Sequence, residues 1–358
     1  MTNKKAVIAV IGCGRIARNA HFPAFSAIGN VRVKYACDII VEKAEAFKNE
    51  YPELVENVIT DYTEALNDSE VEAVYVLTPN YKHYEITMAA LKAGKNVFCE
   101  KPITVNYKLS LEMAETAKKC GKMLVIGVCN RFHKSVEMLE KMNREGQFGN
   151  LYHVYCSFRS YRNIPGLGGA FTTKTESGGG VLIDWGVHFF DLILYILGGA
   201  KLTTATCNTY NEIGKDMKNY HYIGMWAEET KDLDGTNDVE DFVTGYIRTN
   251  KASISFNGAW AQNINAEEMF IDFLGDKGGA RLTYGGNFTF YNEKGDILQT
   301  VTPNYTSRNF YEAEDECFIN SVLSGNTDNR AIIDSVLETA KLLDVLYQSA
   351  EKGEEIKL

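Results

Sequence analysis

Proline is scarce in this chain, six in 358 residues, and no polar tract interrupts it, so long disorder is not expected. No uninterrupted run of about 18 apolar residues occurs, which argues against a membrane span. The eight cysteines are scattered, with no CxxC pair, so neither a zinc site nor a disulfide framework is expected. A reducing cytoplasm is the plain reading of that usage. Positive charge is short as well. Lys and Arg number 37 against 47 Asp and Glu, a formal charge of −10, so the basic footprint of a nucleic-acid binder is missing. The opening apolar run AVIAVIG is too short for a signal-peptide core and reads as a first strand.

What remains is an ordinary globular composition, 45% hydrophobic and 23% charged, with length for about two domains. From residue 6 to about 128, the apolar runs AVIAVIG, VRVKYACD, AVYVLTP, NVFCEKP and MLVIGVC alternate with amphipathic helical stretches. That pattern predicts a parallel sheet covered on both faces. After Asn130 the pattern changes. A helix in 133–149 leads to LYHVYCSFRSYR, where apolar and polar residues alternate. The apolar helix VLIDWGVHFFDLILYILGG follows, then six alternating runs between 201 and 292. These predict a largely antiparallel sheet with one open face. The segment 303–358 reads as helix.

Gly12, Cys13, Gly14, Arg15 and Ile16 lead to Ala17 in a GxGxxA pattern directly after a strand and at a helix start. The first glycine permits the tight turn, the second lets backbone approach a pyrophosphate, and the small third residue lets helix and strand pack closely. The helix amino terminus supplies free N–H groups and a positive dipole. Asp38 ends the second strand. Its carboxylate suits ribose hydroxyls and repels a 2′-phosphate, and Ile39 and Ile40 offer no arginine to bind one. The cofactor implied is NAD rather than NADP. A packed glycine turn with an incidental Asp is the bland alternative.

Three clusters carry candidate chemistry. Thr78, Asn80 and His83 follow the AVYVLTP strand, where ligands bind outside strand ends, although Asn80 and His83 could equally serve the next helix's first turn. Glu100 and Lys101 end the next strand and could serve the nicotinamide ribose and a reacting oxygen, or form a surface ion pair. Asp184, His188 and Asp191 recur at i, i+4 and i+7, which predicts one shared helix face. A carboxylate beside an imidazole orients it for proton transfer. A buried Asp–His pair that only satisfies itself is the alternative. No further metal ligands lie at nearby spacings, so no metal is expected.

Taken together, GCGRIA, TPNYKH, AALKAGKNVFCEKP, GGGVLIDWGVHFFD and GDKGGARL resemble the Gfo/Idh/MocA family of nicotinamide-dependent oxidoreductases along nearly the whole chain. The resemblance implies an α/β protein. An N-terminal NAD-binding Rossmann domain, 1–129, precedes an α/β domain, 130–358, for substrate binding and oligomerisation through a large, open, mostly antiparallel sheet. It implies catalytic roles for Lys101, Asp184 and His188. All three are present, which separates the chain from a non-catalytic nucleotide-sensing regulator. The expected reaction is oxidation of a secondary hydroxyl of a sugar, glycoside or cyclitol. A redox-neutral glycosidase, lyase or keto-sugar-forming enzyme with a recycled NAD is the alternative. Arg131, Tyr155, Arg159 and Trp185 are candidate substrate contacts beside His188. The long polar segment 209–240, with His221, Tyr222 and Trp226, is a candidate cover for substrate or an extension of an oligomer interface. A homo-oligomer is expected, with no nucleic-acid or membrane partner.

Overall fold

The computed structural model describes residues 4–223 and 231–358, so Trp226 lies outside the described residues. The chain forms two compact units. One comprises Met1–Phe132 with Arg308–Leu337, and the other His133–Ser307 with Glu338–Leu358.

The first unit holds strands β1 (Ala6–Ile11), β2 (Val31–Cys37), β3 (Val55–Ile59), β4 (Ala73–Val76), β5 (Asn96–Glu100) and β6 (Leu124–Gly127). All pair in parallel, in the order β3-β2-β1-β4-β5-β6 of a doubly wound Rossmann sheet. β1 and β4 are buried throughout because helices cover both faces, which explains their unbroken apolar runs. β3, with sequence VENVI, lies at the sheet edge with two exposed residues, and its weak apolar signal hid it from the sequence pattern. The connection between β1 and β2 contains a π-turn, Ala17–His21, followed by the helix Phe22–Ile28.

Segment 308–337 departs from a division of the chain after residue 129. Its helix Phe310–Ser324 buries Phe318 against Tyr75 and Phe98, with ring centroids at 5.3 and 5.7 Å. Ile126 N–H then donates to Ala331 O at 2.9–3.0 Å geometry typical of a ladder, with a separation of 3.0 Å. An aromatic face left open by the first 132 residues is thus closed by a late segment of chain.

The second unit is built on β7 (Leu151–Arg159), β8 (Leu202–Tyr210), β9 (Phe242–Thr249), β10 (Ser253–Ala259), β11 (Glu268–Gly275), β12 (Gly278–Thr283), β13 (Phe288–Lys294), β14 (Ile297–Val301) and β15 (Ile356–Lys357). Their order is β14-β13-β12-β11-β7-β10-β9-β8-β15, antiparallel except for the β7–β10 pair. Alternation sorts the side chains. Val154, Cys156 and Phe158 of β7 face the helix Val187–Leu197, where Phe158 meets Phe189 at 5.0 Å and Phe190 at 6.0 Å. His153, Tyr155, Ser157 and Arg159 face the other way. The stretch Lys174–Leu197 is long and apolar enough to cross a membrane, but 83% of its most apolar window is buried within the protein. Its apolar surface is the core of this unit.

Candidate active site

In the nucleotide unit, backbone geometry sets the first half of the site. Gly12 adopts φ +98°, and a Cβ there would lie 2.6 Å from Leu77 O, so only glycine makes this turn. Cys13 N–H donates to Asp38 Oδ2 at 2.8 Å and Ile40 N–H donates to Asp38 Oδ1 at 2.9 Å. Asp38 therefore braces the turn, while each oxygen keeps a lone pair for a ribose hydroxyl. A Cβ on Gly14 would meet nothing within 4 Å, which leaves the approach to the helix start open for a pyrophosphate. Arg15 and Ile16 begin that helix. Cys13 offers only its backbone, since its thiol is buried and burial pushes its pKa up to about 12. The Thr78 hydroxyl, at the carboxyl end of β4, is buried with no hydrogen-bond partner among the described residues. A helix start, open space before it, a carboxylate and an unsatisfied hydroxyl together fit a dinucleotide. Ile39, 89% exposed, places no cation beside Asp38, in keeping with NAD.

Three residues of this unit act differently from the sequence expectation. Asn80 is the first helical residue and Pro79 the cap position, so Asn80 does not cap the helix. His83 is buried, with Nδ1 2.8 Å from Pro102 O and Nε2 2.8 Å from Thr78 O. Both nitrogens are thus occupied by backbone, and His83 clamps the loop after β5 instead of touching a cofactor. Burial pushes its pKa down against the pull of the two carbonyls. Glu100 is also buried. One carboxylate oxygen accepts Lys101 N–H at 2.9 Å and the other faces His21 Nε2 at 3.2 Å. It braces the Lys101 backbone, and each of its oxygens keeps a further acceptor position. The turn that presents Lys101 is therefore gripped by Glu100 on one side and His83 on the other.

Arg131 departs further. It is 1% exposed, and its guanidinium donates to Arg330 O at 2.6 Å, Ser335 Oγ at 2.8 Å and Ser335 O at 3.0 Å. These bonds tie the end of the Rossmann sheet to the late segment, and they leave no role as a substrate contact.

In the second unit the GGG run seats a helix start. A Cβ on Gly180 would come 2.0 Å from Glu240 O. Glu240 Oε1 accepts Gly180 N–H and Leu182 N–H, both at 3.0 Å, and Tyr347 O–H at 2.8 Å. A buried carboxylate thus caps the helix that carries the candidate catalytic residues. Burial raises the Glu240 pKa, and the Tyr347 and backbone bonds oppose it. The helix opens with a π-turn, Leu182–Gly186, before Val187–Leu197. Such turns are wider than α-turns and gather at functional sites. Asp184 lies within this turn and His188 in the α-helical part that follows it. Asp184 is buried and His188 half-buried, 6.2 Å between ring centroids from Tyr284. Asp191, a turn further on, is buried and accepts the Thr339 hydroxyl at 3.2 Å.

Trp185 is half-buried against the unit's core. Tyr155 and Arg159 lie on the opposite face of the sheet from His188. The Tyr155 hydroxyl accepts Asn257 Nδ2–H at 3.0 Å, and Arg159 pairs with Glu268. Strand alternation decides this: odd positions of β7 point away from the helix. Both residues therefore belong to the open face and not to a substrate site beside His188. The Tyr222 hydroxyl accepts Leu167 N–H at 3.3 Å, which fixes its end of the long segment to the core. His21, Asp315, Glu240 and Tyr347 escaped the sequence reading. Glu240 sits in a loop without periodicity, and Asp315 lies almost 300 residues from its partner His21, so no local pattern marks either.

Comparison with known proteins agrees with this architecture. Residues 7–128 match the family described as "Oxidoreductase family, NAD-binding Rossmann fold", and residues 136–281 match the GFO/IDH/MocA C-terminal domain. The chain is 30% identical over 360 residues to D-glucoside 3-dehydrogenase of Escherichia coli, covering 100% of this chain and 99% of that protein. It is 29% identical to a putative UDP-kanosamine synthase oxidoreductase subunit of Amycolatopsis mediterranei, covering 84% and 81%. Levoglucosan dehydrogenase, solved with NADH and levoglucosan, shares the fold at TM-score 0.83 and 19% identity over 99% of each chain. With both units matched and a relative aligned from end to end, the chain belongs to the Gfo/Idh/MocA family of NAD-binding oxidoreductases.

Proposed function

We propose that the protein oxidises a secondary hydroxyl of a sugar, glycoside or cyclitol to a ketone, with NAD as hydride acceptor. The observation that carries this reading is the end-to-end similarity to a D-glucoside 3-dehydrogenase in a chain that retains Lys101, Asp184 and His188. A glucoside is therefore the first substrate class to test, and C3 the first position. Bound NAD supplies the hydride acceptor at nicotinamide C4. His188 accepts the hydroxyl proton as the carbinol C–H bond breaks and the C=O bond forms. Asp184 orients that imidazole and balances its charge. Lys101 donates a hydrogen bond to the same substrate oxygen and stabilises negative charge developing on it. Trp185, half-buried beside this pair in sequence, offers a flat apolar surface for a sugar ring.

The partner proposed for the open sheet face is a second copy of the chain. Tyr155 and Phe270 pack there with centroids at 5.6 Å, on the side away from the unit's core helix. A Tyr155→Glu change lowers the solution mass to that of a monomer if so, and an unchanged mass removes this partner.

The test of function mixes purified protein with glucosides, free sugars and inositols, with and without added NAD, while reduced-nicotinamide absorbance and substrate mass are followed. NADH formed in many-fold excess over enzyme supports the dehydrogenase. Conversion without net NADH moves the assignment to a redox-neutral reaction with a recycled cofactor. No conversion across the panel overturns the reading.

A further inference from the structure

His21 is fully buried on the π-turn that follows the glycine motif, and both its ring nitrogens face carboxylates. Nδ1 lies 3.0 and 3.1 Å from the two oxygens of Asp315, and Nε2 lies 3.2 Å from Glu100 Oε1. A neutral imidazole donates from one nitrogen only, whereas the imidazolium donates from both. The ring is walled by Phe98, Tyr75, Phe25 and Tyr311, with centroids 5.2 to 6.2 Å away. Three ionisable groups in an apolar wall are costly, and well-packed hydrophobic residues would hold such a site at least as well. The seat nevertheless fits a carboxylate: a Cβ on Gly127 would come 2.8 Å from Glu100 Cδ. The second Glu100 oxygen accepts Lys101 N–H at 2.9 Å. The chain of contacts thus runs from a helix of the late segment, through the nucleotide-binding helix, to the backbone of Lys101.

We propose that His21, held by Asp315, is a cationic positioning residue that locks Glu100 and through it sets the placement of Lys101. The functional half of this inference rests on Lys101 acting in the proposed reaction. Burial alone would lower the His21 pKa; the Asp315 charge and the hydrogen bonds to Asp315 and Glu100 outweigh it and raise the value to about 10. A purely structural cluster would hold the unit together without affecting Lys101. A positioning cluster moves Lys101 when either outer member is changed.

The experiment reads Lys101 directly. Lysines of the full chain are reductively dimethylated with ¹³C-formaldehyde, and the Lys101 signal is assigned by its loss in Lys101→Arg. His21→Gln and Asp315→Asn are each expected to shift that signal. Each is also expected to lower kcat by about 10- to 100-fold with NADH affinity retained, the scale of a small misplacement of a reacting group. The double variant is expected to be no worse than the weaker single one. Should the variants fail to fold, ¹⁵N spectra of the wild-type imidazoles decide, because His21 is expected to carry protons on both nitrogens at pH 7. A neutral His21, or a Lys101 signal unmoved in both folded variants, overturns the proposal. A wild type that turns over no sugar removes the catalytic reading of Lys101 instead, and the Lys101 signal still decides the clamp.

Discussion

The nucleotide unit and the sheet unit each mount their functional groups on a helix that begins with a π-turn, Ala17–His21 in one and Leu182–Gly186 in the other. Each turn has a buried carboxylate beside it, Glu100 and Glu240 respectively. The likeness ends at what is presented. The first unit presents backbone amides, shaped by glycines within a few residues of one another. The second presents side chains, Asp184 and His188, whose helix is seated by Glu240 and Tyr347 from distant parts of the chain. Local geometry therefore suffices to bind a cofactor common to many proteins, while the groups assigned to the chemistry depend on long-range packing.

The largest effects fall on the proposed chemistry, to which each unit contributes a side chain. Lys101→Met and His188→Ala should each lower kcat by about 10²- to 10⁴-fold, the range for a group that stabilises a developing oxyanion or transfers a proton. NADH titration by fluorescence should show unchanged affinity in His188→Ala. Normal turnover in either variant would remove that residue from the chemistry. Next, Gly12→Ala and Gly180→Ala place a Cβ against backbone in each unit, at 2.6 Å from Leu77 O and 2.0 Å from Glu240 O. Each should destabilise by about 1–3 kcal/mol in urea melts. Only the Gly12 variant should lose NADH binding, and only the Gly180 variant should lose turnover at saturating NAD.

Smaller effects sharpen the contrast. Asp38→Ala removes the brace of the glycine turn and the proposed ribose acceptor, and should narrow the preference for NAD over NADP by about tenfold, read from the two dissociation constants. Stability against pH tests the His21 cluster. Its pKa is raised from 6.5 unfolded to about 10 folded, so its contribution is complete below pH 6.5 and is lost as pH climbs to 10. Urea midpoints should fall over that window in the wild type and vary less in Asp315→Asn. Least of all, Tyr347→Phe removes one of three bonds to Glu240 Oε1 and should cost about 1 kcal/mol, leaving NADH affinity intact.

Legibility in the sequence followed the same divide. The parallel strands, the glycine turn and Asp38 were readable because periodicity and turn chemistry are local. Edge strand β3 escaped because exposure had replaced its apolar residues with Glu and Asn. In the second unit the alternation of β7 is plain, but it does not say which face the helix covers, and that choice places Tyr155 and Arg159 away from His188. Arg131 looked like a ligand for want of any sign that Arg330 and Ser335 would return to meet it. The positions of His83 and Glu100 after their strands are legible, but not that His83 bonds the loop after β5 or that Glu100 bonds both His21 and the Lys101 backbone.

The route of the chain also orders events at the ribosome. The nucleotide unit is the first to be started and must wait for its completion, because residues 133–307 emerge before Arg308–Leu337 can dock. At roughly 5–20 residues per second, that interval is on the order of ten seconds or more. Throughout it Tyr75 and Phe98 lack Phe318, and His21 lacks its carboxylate partner Asp315. A nascent Rossmann half in that state leaves the Tyr75 and Phe98 rings uncovered by Phe318, and His21 keeps only Glu100 of its two carboxylate partners. Release of the late helix is then the event that ends the exposure.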